Sequence, residues 1–301
     1  MMQNFLRLAT SDVRYGLFQA MLPRLLMVAG VSAVVFFLSY VVVLVQLPNL
    51  QGHTTLGENL LALYRGALPY TPQPGKPFQF PMQWFALLIV MCYVTSDYPF
   101  RNLGGMGARM IVAAGSRWSW WLAKCYWVVT CALTCFLVPV VLAVVISVFT
   151  AGGWDIGVRP GVAAMLRSGT ADTLASAVGI QTSQVTWQVQ DQPLIPLLAP
   201  LATVMLALMA VMFVETFVSL LVNPVIGLMT AVALLFFSAY FRVWWLPGQY
   251  LMLARYDTLT RAGVNTVDGT LISLGVSAFV IIVGGVIFSQ RDIMGRERED
   301  A

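Results

Sequence analysis

The chain has 301 residues, of which 59% are hydrophobic and only 10% charged, with a net charge of +4. Soluble domains carry about 25% charged residues, and a mean hydropathy of +0.80 means too much apolar surface for one water-facing globule. The bilayer is therefore expected to be the solvent for most of the chain. The small charge excess, spread over loops and tails, suits a membrane surface rather than nucleic acid.

The first residues do not read as a secretory signal. Arg7, Asp12, Arg14 and Arg24 interrupt them, and the apolar run after Arg24 is about twice the length of a signal core. Within residues 3–22, Leu6, Ala9, Val13, Leu17 and Ala20 recur at roughly helical spacing. That pattern fits a helix lying in the cytoplasmic interface, with a plain extension of the first span as the alternative. The first span is expected at 25–47, uncharged and long enough to cross a core of roughly 30 Å.

A polar stretch follows at 48–78, holding His53, Arg65, Lys76 and five prolines. Inside it, Thr55-Leu-Gly-Glu58 reads as a capping box that opens a short helix, which Gly66 would close. The second span, 79–96, is short. Residues 97–124 are polar and basic, with Arg101, Arg109, Arg117 and Lys124 against the single acid Asp97. Trp118, Trp120 and Trp121 read as an interfacial aromatic belt at the mouth of the third span. That span, 125–149, contains Pro139, which should kink it.

The second long polar loop is 150–192, and alternation at Val185, Trp187 and Val189 reads as a strand near its end. The fourth span is expected at 194–222, and Asn223-Pro224 makes a tight turn into the fifth, 225–246. A loop at 247–268 is expected to hold a short helix ending at Gly263. The sixth span is 269–289, and the tail QRDIMGRERED is charged. The expectation is thus a single all-α membrane domain over residues 1–301, with about six transmembrane helices and an N-terminal interfacial helix.

Orientation follows from the cations. With a cytoplasmic N-terminus, Arg7, Arg14, Arg24, Arg101, Arg109, Arg117, Lys124, Arg291, Arg296 and Arg298 lie inside. Arg65, Lys76, Arg159, Arg167, Arg242, Arg255 and Arg261 lie outside. The inner segments are shorter and so carry the denser positive charge, which places both termini in the cytoplasm.

Chemistry-bearing motifs are few. No Gly-x-x-x-x-Gly-Lys-Ser/Thr occurs, so no P-loop is expected in this chain. Gly104-Gly105-Met106-Gly107 lacks the following lysine and reads as a flexible turn. His53 is the only histidine, too few for a histidine-rich metal site, and no catalytic residues or metal site are expected. Cys92, Cys125, Cys131 and Cys135 all fall in or at the edge of apolar runs without a Cys-x-x-Cys pair, and read as packing residues. Arg242 reads as a snorkelling residue at the outer end of the fifth span. Glu215, in MAVMFVETFVSLLVN, stands out. A carboxylate inside an apolar span marks a functional candidate in a pathway, and the alternative is an acid near the interface, protonated or hydrogen-bonded to a neighbouring helix.

This arrangement resembles the membrane subunit of an ABC-2 type ABC transporter over nearly the whole length. The most similar local stretch is Gly107 to Lys124, GARMIVAAGSRWSWWLAK, which looks like that family's short cytoplasmic helix followed by a small residue, Ser-Arg, aromatics and lysine. The closing Arg291-Asp292-Ile293 is also similar. The long loops 48–78 and 150–192 depart from the shortest family members. The resemblance implies a multi-pass subunit of a bacterial plasma membrane, an exporter. It implies no cofactor in this chain, with ATP and Mg²⁺ held by a separate P-loop ATPase, and a second copy or paralogue of the permease completing the pathway. It also implies a coupling helix at about Phe100–Ser116 that docks on the ATPase through Arg101, Met106, Arg109, Met110 and Arg117. A non-transporting anchor or sensor, binding a peptide or membrane partner through its outer loops, is the competing reading, with a membrane enzyme third.

Overall fold

A computed structural model describes residues 21–46, 55–68, 70, 78, 80–96, 98–101, 116–149, 154–158, 195–259 and 263–290, together with Thr10. Within them the chain is mostly helical. The helices are α1 (Leu22–Gln46), α2 (Leu56–Tyr64), α3 (Met82–Ser96), α4 (Tyr98–Arg101), α5 (Arg117–Phe149), α6 (Leu198–Leu221), α7 (Pro224–Tyr240) and α8 (Thr266–Gln290). Two residue pairs, β1 (Gly157–Val158) and β2 (Ile195–Pro196), form a small antiparallel ladder. Apart from Thr10, Met21, Leu22 and Gln290, the expected interfacial helix at 3–22, the strand at 185–189 and the charged tail lie outside the described residues.

Three helices, α5, α6 and α8, are long and apolar enough to cross a membrane. At 1.5 Å per residue, the 24 residues of α6 reach about 36 Å, against a hydrocarbon core of roughly 30 Å. α3 and α7 are apolar but shorter, at 15 and 17 residues. Large apolar side chains point outward all round the bundle, among them Leu26, Phe37, Val141, Met229, Leu271 and Phe279. Such a surface suits hydrocarbon and not water. The fold is consistent with an all-α membrane protein.

Contacts between helix ends fix their directions. The start of α1 meets the end of α3, where Arg24 reaches Tyr93 and Val94. The start of α5 meets the end of α8, where Arg117 reaches Ser289. At the opposite end, Thr203 near the start of α6 meets Thr266 and Thr270 of α8. Asn223 reverses the chain between α6 and α7, its side chain accepting from the Ile226 N–H at 2.8 Å with Pro224 as the first helical residue, the preferred chemistry for a helix start. α6 is the central helix, with 61% of its apolar window buried against 28% for α5 and 33% for α8.

A cover closes one end of the bundle. α2 opens with the expected capping box, in which the Thr55 side chain accepts from Glu58 N–H and the Glu58 carboxylate accepts from Thr55 N–H. Gly66 has φ +66°, a left-handed turn that glycine makes without strain. The Thr55 hydroxyl donates to Gly157 O at 2.8 Å, Gly57 N–H to Asp155 O, and Ala254 N–H to Arg65 O. These bonds tie α2, the strand pair and two 3₁₀ turns, Pro247–Leu251 and Leu253–Arg255, into one layer.

Three expectations need correction. α5 begins at Arg117, eight residues before the expected 125, so the tryptophans belong to the helix. Trp120 and Trp121 are buried at 1% exposure and are not an interfacial belt. Trp121 donates its indole N–H to Ile281 O at 2.8 Å, and a Cβ on Gly284 or Gly285 would collide with Trp121 or Trp118. These two glycines let bulky rings of α5 approach the α8 backbone, as small residues do at membrane helix interfaces. The fifth helix ends at Tyr240 rather than 246, leaving Trp244 and Trp245 exposed beyond it. Where a short helix ending at Gly263 is expected, the described residues hold the two 3₁₀ turns, and residues 260–262 lie outside the description. Pro139 lies inside α5.

Candidate functional site

α6 carries Glu215, Thr216 and Ser219 in sequence otherwise rich in Met, Val and Phe, and all three are buried. Glu215 is 0% exposed. Its Oε2 lies 3.1 Å from Thr95 Oγ1, and the same hydroxyl lies 2.9 Å from Cys92 O. Cys92, one turn before Thr95, presents its thiol to the same carboxyl. Among the described residues, Glu215 Oε1, Thr216 Oγ1 and Ser219 Oγ have no hydrogen-bond partner. Three unpaired oxygens within five residues of one buried helix are unusual, because buried polar atoms are almost always satisfied.

Neighbouring helices define this centre. α3 supplies Thr95 and Cys92. α1 supplies Arg24, which interacts electrostatically with Glu215 while its guanidinium donates to Tyr93 O at 3.1 Å and Val94 O at 3.2 Å and lies over the Tyr93 ring. α5 supplies Cys131 and Cys135. α7 contributes Gly227, where a Cβ would collide with Ser219 Oγ and press on Glu215 O. All four cysteines are free and buried, as their apolar setting predicts.

Thr95 sits in the last turn of α3, immediately before α4 and the segment 102–115. α4 packs against α6. Glu215 is therefore joined, through one side-chain contact, to α3, which precedes α4 and the segment 102–115. Of the residues expected to couple to a partner, Arg101 is the last residue of α4 and Arg117 the first of α5. Arg117 donates to Ser289 O at 3.5 Å, at the end of α8. Met106, Arg109 and Met110 lie outside the described residues. Arg101, Arg117 and Glu215 thus belong to the same end of the bundle.

A second pattern was hidden in the sequence. None of α3, α7 or α8 carries a basic residue in its own last turn, yet each C-terminus receives an arginine from another element. Arg24 of α1 serves α3, and Arg117 of α5 serves α8. Arg255 serves α7, donating from Nη1 to Ser238 O at 2.7 Å and from Nη2 to Ala239 O at 2.6 Å, while its Nε donates to Ala67 O at 2.9 Å. The final carbonyls of a helix have no partner within it, and its C-terminal dipole end attracts cations. Arg255 is 1% exposed. Burial pushes its guanidinium down to about 10, with Arg242 adding to the shift, so it stays charged at neutral pH. Its neighbours Met252, Leu253 and Ala254 are all apolar and buried, and an arginine in such a run is the sequence cue to a buried role. Arg242 itself is exposed, beyond the end of α7.

Among the described residues, no group of three or more His, Cys, Asp or Glu is placed to hold a metal. The oxygens at Glu215 can accept hydrogen bonds or a proton. No family model matches the chain, and no curated protein or solved structure matches it significantly.

Proposed function

We propose that this chain is the membrane-spanning subunit of an ATP-driven ABC-2 type exporter, with ATP and Mg²⁺ bound by a separate P-loop ATPase. In this reading α1, α3, α5, α6, α7 and α8 cross a bacterial plasma membrane, both termini lie in the cytoplasm, and the cover of α2, β1–β2 and the 3₁₀ turns faces outward. A second copy or a paralogue completes the pathway. The segment 102–115, with Met106, Arg109 and Met110, docks on the ATPase, flanked by Arg101 and Arg117.

The observation that carries this reading is the Thr95–Glu215 contact. It joins the last turn of α3, which leads into the docking segment, to the central helix of the bundle. A push on 102–115 would reach α6 through that contact and α1 through Arg24. A buried carboxyl with one oxygen unpaired also fits a group that changes partners during a transport cycle. The competing reading, an anchor or sensor, draws on the ordered outer cover. Affinity purification in mild detergent separates the two. An exporter subunit co-elutes with a P-loop ATPase, whereas an anchor or sensor elutes without one.

A further inference from the structure

We infer that Glu215 is a proton-binding latch: a neutral carboxylic acid that holds α6 to α3 by donating to Thr95, and that releases its proton when the two helices part. The inference rests on reading Glu215 as a functional group inside a membrane bundle, and it does not depend on the ATPase.

The hydroxyl of Thr95 has one proton and two oxygens within reach, Cys92 O at 2.9 Å and Glu215 Oε2 at 3.1 Å. Both contacts are full hydrogen bonds only if Thr95 donates to Cys92 O and accepts from Glu215 Oε2–H. An ionised Glu215 would instead be a fully buried charge accepting from one shared hydroxyl and a weak thiol donor, with Oε1 unpaired. Buried charges so poorly compensated neutralise instead.

Among the described residues, the titratable or charged groups that face the carboxyl are Arg24 from α1, Cys92 from α3, and Cys131 and Cys135 from α5. Arg24 directs Nη1 to the Tyr93 and Val94 carbonyls, where it caps α3. α7 presents Gly227, and the one charged residue of α8, Asp268, is in its first turn, at the opposite end. A Cβ on Gly227 would collide with Ser219 Oγ and press on the backbone carbonyl of Glu215.

The release step is a proton transfer with a definite balance. When α3 moves from α6, water reaches Glu215, the O–H bond breaks, and the proton passes to that water. The Thr95 hydroxyl keeps its bond to Cys92 O, and the carboxylate left behind is hydrated by the water that has entered. Closing reverses each step. The latch thus binds one proton when closed and none when open, so alkaline conditions favour the open form.

Infrared spectroscopy of the full chain in lipid vesicles tests this without a partner or substrate. The difference between wild type and Glu215→Gln should contain the carbonyl stretch of one protonated carboxylic acid at neutral pH. Thr95→Val removes the acceptor and should move that band to higher frequency. Glu215→Asp, which draws the acid back from Thr95, should move it too and provides a second variant if Glu215→Gln fails to fold. A carboxylate stretch in place of the acid band, or a band indifferent to Thr95→Val, overturns the inference. A chain that recruits no ATPase can still show the acid band, and an active transporter can lack it, so the two proposals fail separately.

Discussion

Replacing Arg255 by Met keeps much of the side-chain volume and removes the charge and all three donors. Ser238 and Ala239 lie in the last turn of α7, where carbonyls have no partner within the helix, and Ala67 follows the Gly66 turn. Each bond from a charged donor contributes roughly 1.5–3 kcal/mol. The three are not additive, because the cover can open slightly and readmit water. The combined loss should resemble the breaking of a buried charged network, about 3–5 kcal/mol. At about 2 °C per kcal/mol for a chain of this size, the melting temperature should fall by roughly 6–10 °C. The four buried free cysteines provide the assay, since a fluorogenic thiol dye reacts as they become exposed on heating in mild detergent. Arg255→Lys keeps the charge but cannot fork to three carbonyls, and should lose about half as much. Val267→Met, at a position 61% exposed, is the control and should shift stability by about 0.5 kcal/mol or less. If Arg255→Met melts with the Val267→Met control, the α7 carbonyls do not depend on the arginine and the capping argument is wrong.

Three further outcomes are expected. Gly285→Ala should destabilise by about 1–3 kcal/mol, because its Cβ would run into Trp118, whereas Gly275→Ala, with nothing within 4 Å, should be neutral or slightly stabilising in the same thiol melt. Single cysteines at Ser116 or Gly295 should label only from the cytoplasm and those at Gln73 or Thr182 only from outside; outside labelling at Ser116 would sink the six-span topology. Glu215→Ala should reach the membrane yet lower transport or its coupled ATP hydrolysis, and full activity would return Glu215 to a packing role.

The helices were largely legible in the sequence because apolar runs are a property of single segments. The run expected at 194–222 became Leu198–Leu221, and the one expected at 269–289 became Thr266–Gln290. Local caps were equally readable: Thr55 with Glu58, and Asn223 with Pro224, act within four residues. Contacts between distant residues were not. Arg24 reaches a carbonyl 69 residues away, Arg117 one 172 residues away, and Thr95 and Glu215 are separated by 120. Nothing in periodicity announces such pairs. Counting Arg24, Arg117 and Arg255 only as topology-setting charges missed their carbonyl partners. The tryptophans failed for a related reason. Aromatic residues at the start of a span suit a membrane interface, and only the facing glycines of α8 turn Trp121 inward.

ATP hydrolysis in proteoliposomes, with the chain reconstituted beside the ATPase that co-elutes with it, tests the transport reading most directly. Wild type should co-purify with the ATPase and show substrate-stimulated hydrolysis. Met110→Asp places a charge in what is proposed as an apolar docking contact, which is costly at an interface centre. It should loosen the complex and uncouple hydrolysis without lowering membrane insertion. Wild-type purification free of any P-loop ATPase would contradict the exporter assignment, and wild-type association and hydrolysis in Met110→Asp would remove segment 102–115 as the coupling element.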